Sequence, residues 1–266
     1  MKLTVAIVLV LAACGSNNGN GNGNGNGNVD GGGGGSGSGS GDAGAGDGTA
    51  EADCGTLRGV IRDFHDSTKV AGANPDFEVT PPNDVVVQGL VNPTITPGGK
   101  PTLSATASAA GMITSAATFS QWYMDVAGAN FSIGHDFVLA SQPDGSFVFD
   151  NGAYFPIDGQ GFGNEGNPHN YHFTTELHAS FSYDGGEVFT FRGDDDVWVF
   201  VNGKLAIDIG GVHSASLATI DFDARAAELG ITKGNEYAID FFQAERHVTG
   251  SNFRIETTIA CFGVIF

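Results

Sequence analysis

Positive charge is scarce in this sequence. It has 11 lysines and arginines against 30 aspartates and glutamates, a formal net charge of −19 over 266 residues. Nucleic acids and anionic membrane faces are gripped by clustered basic side chains, so both are excluded as direct partners. Chemistry-bearing motifs are missing too. No Gly-rich phosphate loop sits between a strand and a helix, and no nucleophile stands with a general base. Helical periodicity is rare: "DARAAEL", closed by Gly230, is the one good helix, and it is short. Only one apolar run is sustained, "LTVAIVLVLAAC" at residues 3–14, and it is too short to span a bilayer.

That run follows Lys2 and ends in small residues, which is the pattern of a secretory signal. Its ending "LAAC" resembles the lipobox of bacterial lipoproteins. The resemblance implies cleavage after residue 13 and a lipid on Cys14; a plain secreted chain is the alternative. Gly15 is not the aspartate that signals inner-membrane retention, so the outer membrane is expected, with the cell surface or the periplasmic face left open. Membrane contact would come through the lipid alone. Residues 15–53 are Gly-, Asn- and Ser-rich and too polar to bury a core, which describes a flexible tether. The expected organisation is therefore a signal at 1–13, a lipidated linker at 14–53 and one folded domain at 54–266. Cys54 and Cys261 remain at the two ends of that domain. An even pair in an oxidising compartment reads as a disulfide, with two free thiols as the alternative.

Short strand-like runs with Gly, Asn and Asp between them fill the folded part: "TLRGVIRDF", "DVVVQGLV", "GSFVFDNGAYFPI", "NYHFTTELHASFSYDGG", "EVFTFRG", "EYAIDFFQAE" and "NFRIETTIACF". They argue an all-β sandwich or barrel. The clearest local signal is Asn202-Gly203, a preferred type I′ pair joining "VWVFV" to "KLAIDI". Val197, Val199 and Val201 point one way from that strand while Trp198 and Phe200 point the other, so it is expected to be covered on both faces.

Three adjacent aspartates, Asp194, Asp195 and Asp196, open directly into this apolar strand. Residue chemistry leaves four readings. They are solvated turn residues, turn formers bonded to nearby backbone, a catalytic pair, or ligands of a hard cation. Adjacency suits catalysis poorly, because glycosidase carboxylates face each other across a substrate. A calcium ion takes oxygen ligands and relieves the repulsion within such a cluster.

The segment "GDDDVWVFVNGKLAIDIGGVH" resembles the signature of the fibro-slime domain, a family of surface proteins related to the PA14 domain. "GVIRDFHDS", "NPDFE", "QWYMDVAGANFS", "FPIDGQGFGNEG", "HNYHFTTELHASFSY", "LGITKGNEYAIDFFQAERH" and "SNFRIETT" follow the family's order across roughly residues 57–262. One departure is Asn74, where the family usually carries histidine. The resemblance implies a PA14-like β-sandwich. It also implies two consecutive aspartates, joined by a cis peptide, that chelate calcium and hold a sugar's vicinal hydroxyls. Those map onto Asp194 and Asp195. Asp196 falls where glycine or asparagine is common. Glu245, near a position usually filled by asparagine, and the carbonyl of His247 would complete the calcium shell. An ion pair of Glu245 with Arg246 is the competing reading.

Other residues invite narrower readings. Asp208 and His213 flank a glycine pair and either line the ligand site or satisfy backbone in a bend. "RGD" at 192–194 is better explained as the start of the aspartate cluster. His169, His172 and His178 suggest zinc, yet on an extended strand His169 and His172 face opposite sides. Trp122 and Tyr123 are read as core aromatics rather than as a sugar platform. The expectation is a calcium-dependent carbohydrate- or polysaccharide-binding surface module without turnover. The alternative is a structural or protein-binding matrix module with a bracing ion.

Overall fold

The Asn202-Gly203 turn forms as its residues dictate: φ is +50° at Asn202 and +74° at Gly203, the doubly positive pair that a type I′ turn requires. The computed structural model describes residues 54–80, 84–107 and 112–264. The expectations for the signal, Cys14 and the tether lie outside them. Among the described residues the chain runs β1 (Thr56–Phe64), α1 (Ala116–Ser120), β2 (Asn130–Val138), β3 (Ala140–Ser141), β4 (Phe147–Asn151), β5 (Phe173–Tyr183) and β6 (Val188–Gly193). It continues through β7 (Asp196–Val201), β8 (Lys204–Ile209), β9 (Ser216–Asp221), α2 (Phe222–Leu229), β10 (Asn235–Glu245), β11 (Phe253–Thr257) and β12 (Gly263–Val264).

Two antiparallel sheets result, ordered β2-β1-β5-β10-β7-β8, with β12 also on β5, and β3-β4-β11-β6-β9. Period-two alternation explains how they pack. Leu57, Ile61, Leu177, Val197, Val199, Val201 and Phe241 from the first sheet meet Phe189, Phe191, Ile220, Phe253 and Ile255 from the second in one buried cluster. The other face of β7 presents Trp198 and Phe200 to a second cluster. That one is closed by Phe64 at the end of β1 and by Phe77, Phe119, Trp122 and Tyr123 from the long β1–β2 connection. The all-β sandwich and the two-faced burial of β7 are both present, and Trp122 and Tyr123 are core.

Two local expectations need correction. "DVVVQGLV" is not a strand: Val85 and Val86 are exposed, and the segment clips across the β8–β9 connection instead. Val87 N–H donates to Gly210 O at 2.7 Å, and Gly89 N–H donates to the Asp208 carboxylate at 2.7 Å. There are two short helices among the described residues, not one. α2 is capped by Asp221 and ended by left-handed Gly230, as the sequence implies. α1 is capped by a reciprocal Ser115–Thr118 box that the sequence reading passed over.

Cys54 and Cys261 form a disulfide across a separation of 207 residues. Closing so long a loop restricts the unfolded chain strongly. The Cys54→Ser/Cys261→Ser variant is therefore expected to lose about 2–5 kcal/mol in urea denaturation.

On the outer side of β5, His178 donates or accepts at 2.6 Å to both Asp240 and Glu176, while Arg62 and Lys100 also hold Glu176. The two carboxylates outweigh partial burial and lift His178 to about 9. A histidine raised in the fold contributes stability that is complete below its unfolded pKa and lost as pH climbs through its folded one. The difference in stability between wild type and His178→Gln is expected to shrink by on the order of 2 kcal/mol from pH 6 to pH 10. Denaturation midpoints at the two pH values check this.

Candidate functional site

Three connections cross between the sheets at one end of the sandwich. β6 lies in the five-stranded sheet and β7 in the seven-stranded one, so the chain changes sheets at Asp194-Asp195. β8 to β9 and β10 to β11 make the same change. The registers Val197↔Ile209, Gly193↔Ser216, Ala244↔Asp196 and Phe253↔Gly193 bring all three crossings side by side. Ladder bonds cannot continue around such corners, so side chains satisfy the backbone there. Gly193 is needed at this corner, because a Cβ would fall on the Asn252 carbonyl and the Phe191 ring.

The Asp194-Asp195 peptide is cis. The Asp194 carboxylate accepts Asn252 N–H at 2.5 Å on one oxygen and Asn252 Nδ2 at 2.8 Å on the other. The Asp195 carboxylate accepts His213 N–H at 3.1 Å and Arg246 N–H at 3.0 Å, again one per oxygen. A carboxylate offers about four lone-pair positions, so each Asp194 oxygen keeps one unspent, while the Asp195 carboxyl also faces that of Glu245. Both side chains line a cavity of about 400 Å³ together with Asp84, His213, Ser214, His247 and Asn252. That volume falls within the range of small-molecule sites. Among the described residues, no lysine or arginine lines this cavity.

Burial acts on these acids as charge without a counter-ion should. It raises Asp194, against the opposing bonds from Asn252. It raises Asp195 to about 8, with Asp196 adding to the rise and Arg246 resisting it. Glu245 is 1% exposed and is pushed up strongly, first by burial and then by the charges of Asp195 and Asp194. Three carboxyls in such proximity call for protons or a cation.

Asp196 corrects the sequence expectation. It does not line the cavity. Its oxygens accept Gly211 N–H and Arg246 Nε, each at 2.6 Å, in an ion pair with no exposure on either side chain. Asp196 therefore neutralises Arg246 rather than serving a metal. That contact also removes the competing reading of Glu245, because Arg246 pairs elsewhere. Its Nη1 donates to Asp76 O and Met112 O, and the guanidinium stacks on Trp122 at 4.9 Å. Asp208 is corrected too: its oxygens take Gly89 N–H and Trp198 Nε1, away from the cavity lining.

His213 does line the cavity. Its Nδ1 meets Ser214 O at 2.8 Å, and its buried Nε2 has no partner. His247 lines it as well, with its carbonyl accepting Thr249 N–H at 2.9 Å. Glu245 lies behind the aspartates in charge space but is not part of the lining. The Asp of "RGD" is Asp194 of the cavity pair and accepts both donors of Asn252. Asn252, Asp84 and Ser214 are site residues that the sequence reading did not single out, and Arg246 enters it only as a partner of Glu245 rather than of Asp196. An arginine ending the buried run "FFQAER" was the available signal, because a charge there needs a carboxylate partner.

Residues 143–261 match the PA14 domain family's model, a span that takes in β4 to β11 and all three sheet crossings. The chain is 40% identical over 204 residues to protein psiR and 38% identical over 201 residues to protein psiQ, both of Dictyostelium discoideum. Each alignment covers 70% of this chain and 20% of the relative. Protein psiD of the same organism is 39% identical over 197 residues, covering 69% of this chain and 38% of the relative. The chain thus spans from a fifth to under two-fifths of the length of these relatives. Among solved structures, a PA14 sugar-binding domain from an RTX adhesin covers 76% of this chain and 89% of its own. It does so at 13% identity and a TM-score of 0.33, a likeness too slight to bear on function.

Proposed function

We propose that this PA14-like chain, of the fibro-slime branch, binds calcium through Asp194 and Asp195 and uses the ion to hold vicinal hydroxyls of a carbohydrate. The observation that carries the reading is the paired carboxylates themselves. They share one cavity, the Asp194 oxygens each accept a single donor, and among the described residues no lysine or arginine lines the walls. Paired carboxylate oxygens suit a hard cation, and calcium tolerates the irregular shells that loops provide. The residues that would hold the ion are Asp194 and Asp195, with Glu245 contributing charge and the His247 carbonyl available from the same loop. The ion supplies a positive centre for hydroxyl oxygens. Asn252 Nδ2, the Ser214 hydroxyl and His213 add donors and acceptors around them.

The role is adhesion without turnover, displayed from the outer membrane by a lipid on Cys14. The PA14 match over 143–261 supports an extracellular binding module of this type. The test is retention of the full chain on a panel of polysaccharides with calcium and with chelator. Chelator-sensitive retention supports the reading; retention that survives chelation, or none at all, counts against it.

One feature favours a second reading, in which the ion only braces the loops. Every oxygen of the pair already ties down a donor from a neighbouring crossing. A chelator-induced drop in melting temperature with no polysaccharide retained would select it.

A further inference from the structure

A second constellation lies apart from the aspartate pair. Asp66 follows β1 by two residues, His172 immediately precedes β5, and the two strand ends are joined by Phe64 N–H donating to His172 O at 2.8 Å. Glu78 arrives on the "NPDFE" loop, which is pinned by Glu78 and Val79 N–H groups donating to Arg246 O at 2.9 and 3.1 Å. One ligand atom from each of Asp66, Glu78 and His172 lies within 4.8 Å of the others. Asp66 and His172 are each 2% exposed.

The donor bonds leave one atom of each group turned inward. Asp66 Oδ1 is taken by Thr68 N–H at 2.9 Å and Thr68 Oγ1 at 2.5 Å, which leaves Oδ2. Glu78 Oε1 is taken by His247 Nδ1 at 2.8 Å, which leaves Oε2, and His172 Nε2 sits 3.0 Å from it. The His172 backbone is fixed in turn by N–H donation to Asn170 Oδ1 at 3.1 Å. Lys69 Nζ stands 3.2 Å from Asp66 Oδ2, but it also donates to Glu165 O and Asn167 Oδ1. It therefore keeps other bonds if a stronger cation takes its place.

We propose that Asp66 Oδ2, Glu78 Oε2 and His172 Nε2 bind a divalent transition-metal ion of the zinc class. One imidazole nitrogen with two carboxylates is a zinc-type donor set, whereas calcium and magnesium prefer oxygen alone. A contact from the far oxygen of a ligating carboxylate to a histidine is the outer-shell support such sites use, and His247 already supplies it to Glu78. Three protein ligands leave one tetrahedral position for water or a ligand. Because His247 also lines the aspartate cavity, the ion would fix one wall of that cavity through Glu78. The proposal is independent of calcium binding at Asp194 and Asp195.

The test is calorimetric titration of zinc chloride into the metal-stripped full chain, with cobalt(II) as the spectroscopic probe. The expected result is one equivalent of zinc and visible cobalt bands. His172→Gln and Glu78→Gln should each weaken zinc by more than the roughly 10–100-fold typical of an outer-shell loss. Asp195→Asn should leave zinc affinity unchanged. Circular dichroism checks that the variants fold, and Glu78→Gln, at the less buried position, decides the matter if His172→Gln does not. Absence of zinc binding, undiminished binding in Glu78→Gln, or loss of binding in Asp195→Asn would overturn the assignment.

Discussion

Arg246→Met is expected to cost about 3–5 kcal/mol of folding stability, the range found when one partner of a buried ion pair is removed. Methionine fills much of the same volume, so the loss is electrostatic rather than a cavity effect. Asp196, with no exposure, would be left charged beside only Gly211 N–H, and the carbonyls of Asp76 and Met112 would lose their donor. The stacking on Trp122 would go as well. For a domain of this size the melting temperature should fall by on the order of 10 °C. Adding Asp196→Asn should recover part of the loss, because it removes the stranded charge. A fall of under about 1 kcal/mol in urea would show that the pair is not the anchor of this corner.

Asp195→Asn is expected to act chiefly on the ion, with a fold cost of about 1–3 kcal/mol, because its amide nitrogen would face one of the two backbone N–H groups that the carboxylate accepts. It keeps the shape of the side chain but removes one of the three carboxylates, Asp84, Asp194 and Asp195, that line the cavity. Affinity in oxygen-ligand sites is tuned by ligand charge, so calcium binding should weaken by about 100-fold or more. The ion's stabilisation should vanish with it. At a calcium concentration 100 times the dissociation constant, wild type should gain about 2.7 kcal/mol over its metal-free form, and the variant should gain almost none. Thermal melts of both proteins with calcium and with chelator check this. Equal calcium-induced shifts in the two proteins would move the ion elsewhere.

The parts of this molecule that were legible in the sequence are those with two independent signals. The β7–β8 hairpin has its Asn-Gly turn and alternation that is apolar on both faces; α2 has Asp221 at one end and Gly230 at the other. β2 and β9 lie at sheet edges and are largely exposed, so neither carries an apolar period that stands out from the loops. The valines of 84–91 mislead for the opposite reason. They resemble a strand, yet the backbone at Val87 and Gly89 is spent on Gly210 and the Asp208 side chain, and only an isolated bridge from Val91 to Leu103 follows.

Within the site, residue chemistry alone shows three equal aspartates, and only the family resemblance sets Asp196 apart from the other two. Their difference comes from where β7 starts. Asp196 is the first residue in the ladder and its side chain reaches Arg246, 50 residues away in the chain. Asp194 and Asp195 precede the ladder and stay in the crossing. Asp208 was ambiguous for the same reason: its partners, Gly89 and Trp198, are fixed by packing between distant segments. On an extended strand His172 would face away from His169. β5 begins only at Phe173, so strand alternation does not govern either residue, and the partners that matter are Asp66 and Glu78.

The most direct measurement is calorimetry of calcium chloride titrated into the metal-stripped full chain. One equivalent bound by wild type, and no resolvable heat with Asp195→Asn, is the expected result. A flat titration of wild type would contradict the central claim that the crossing between β6 and β7 is built to hold a cation.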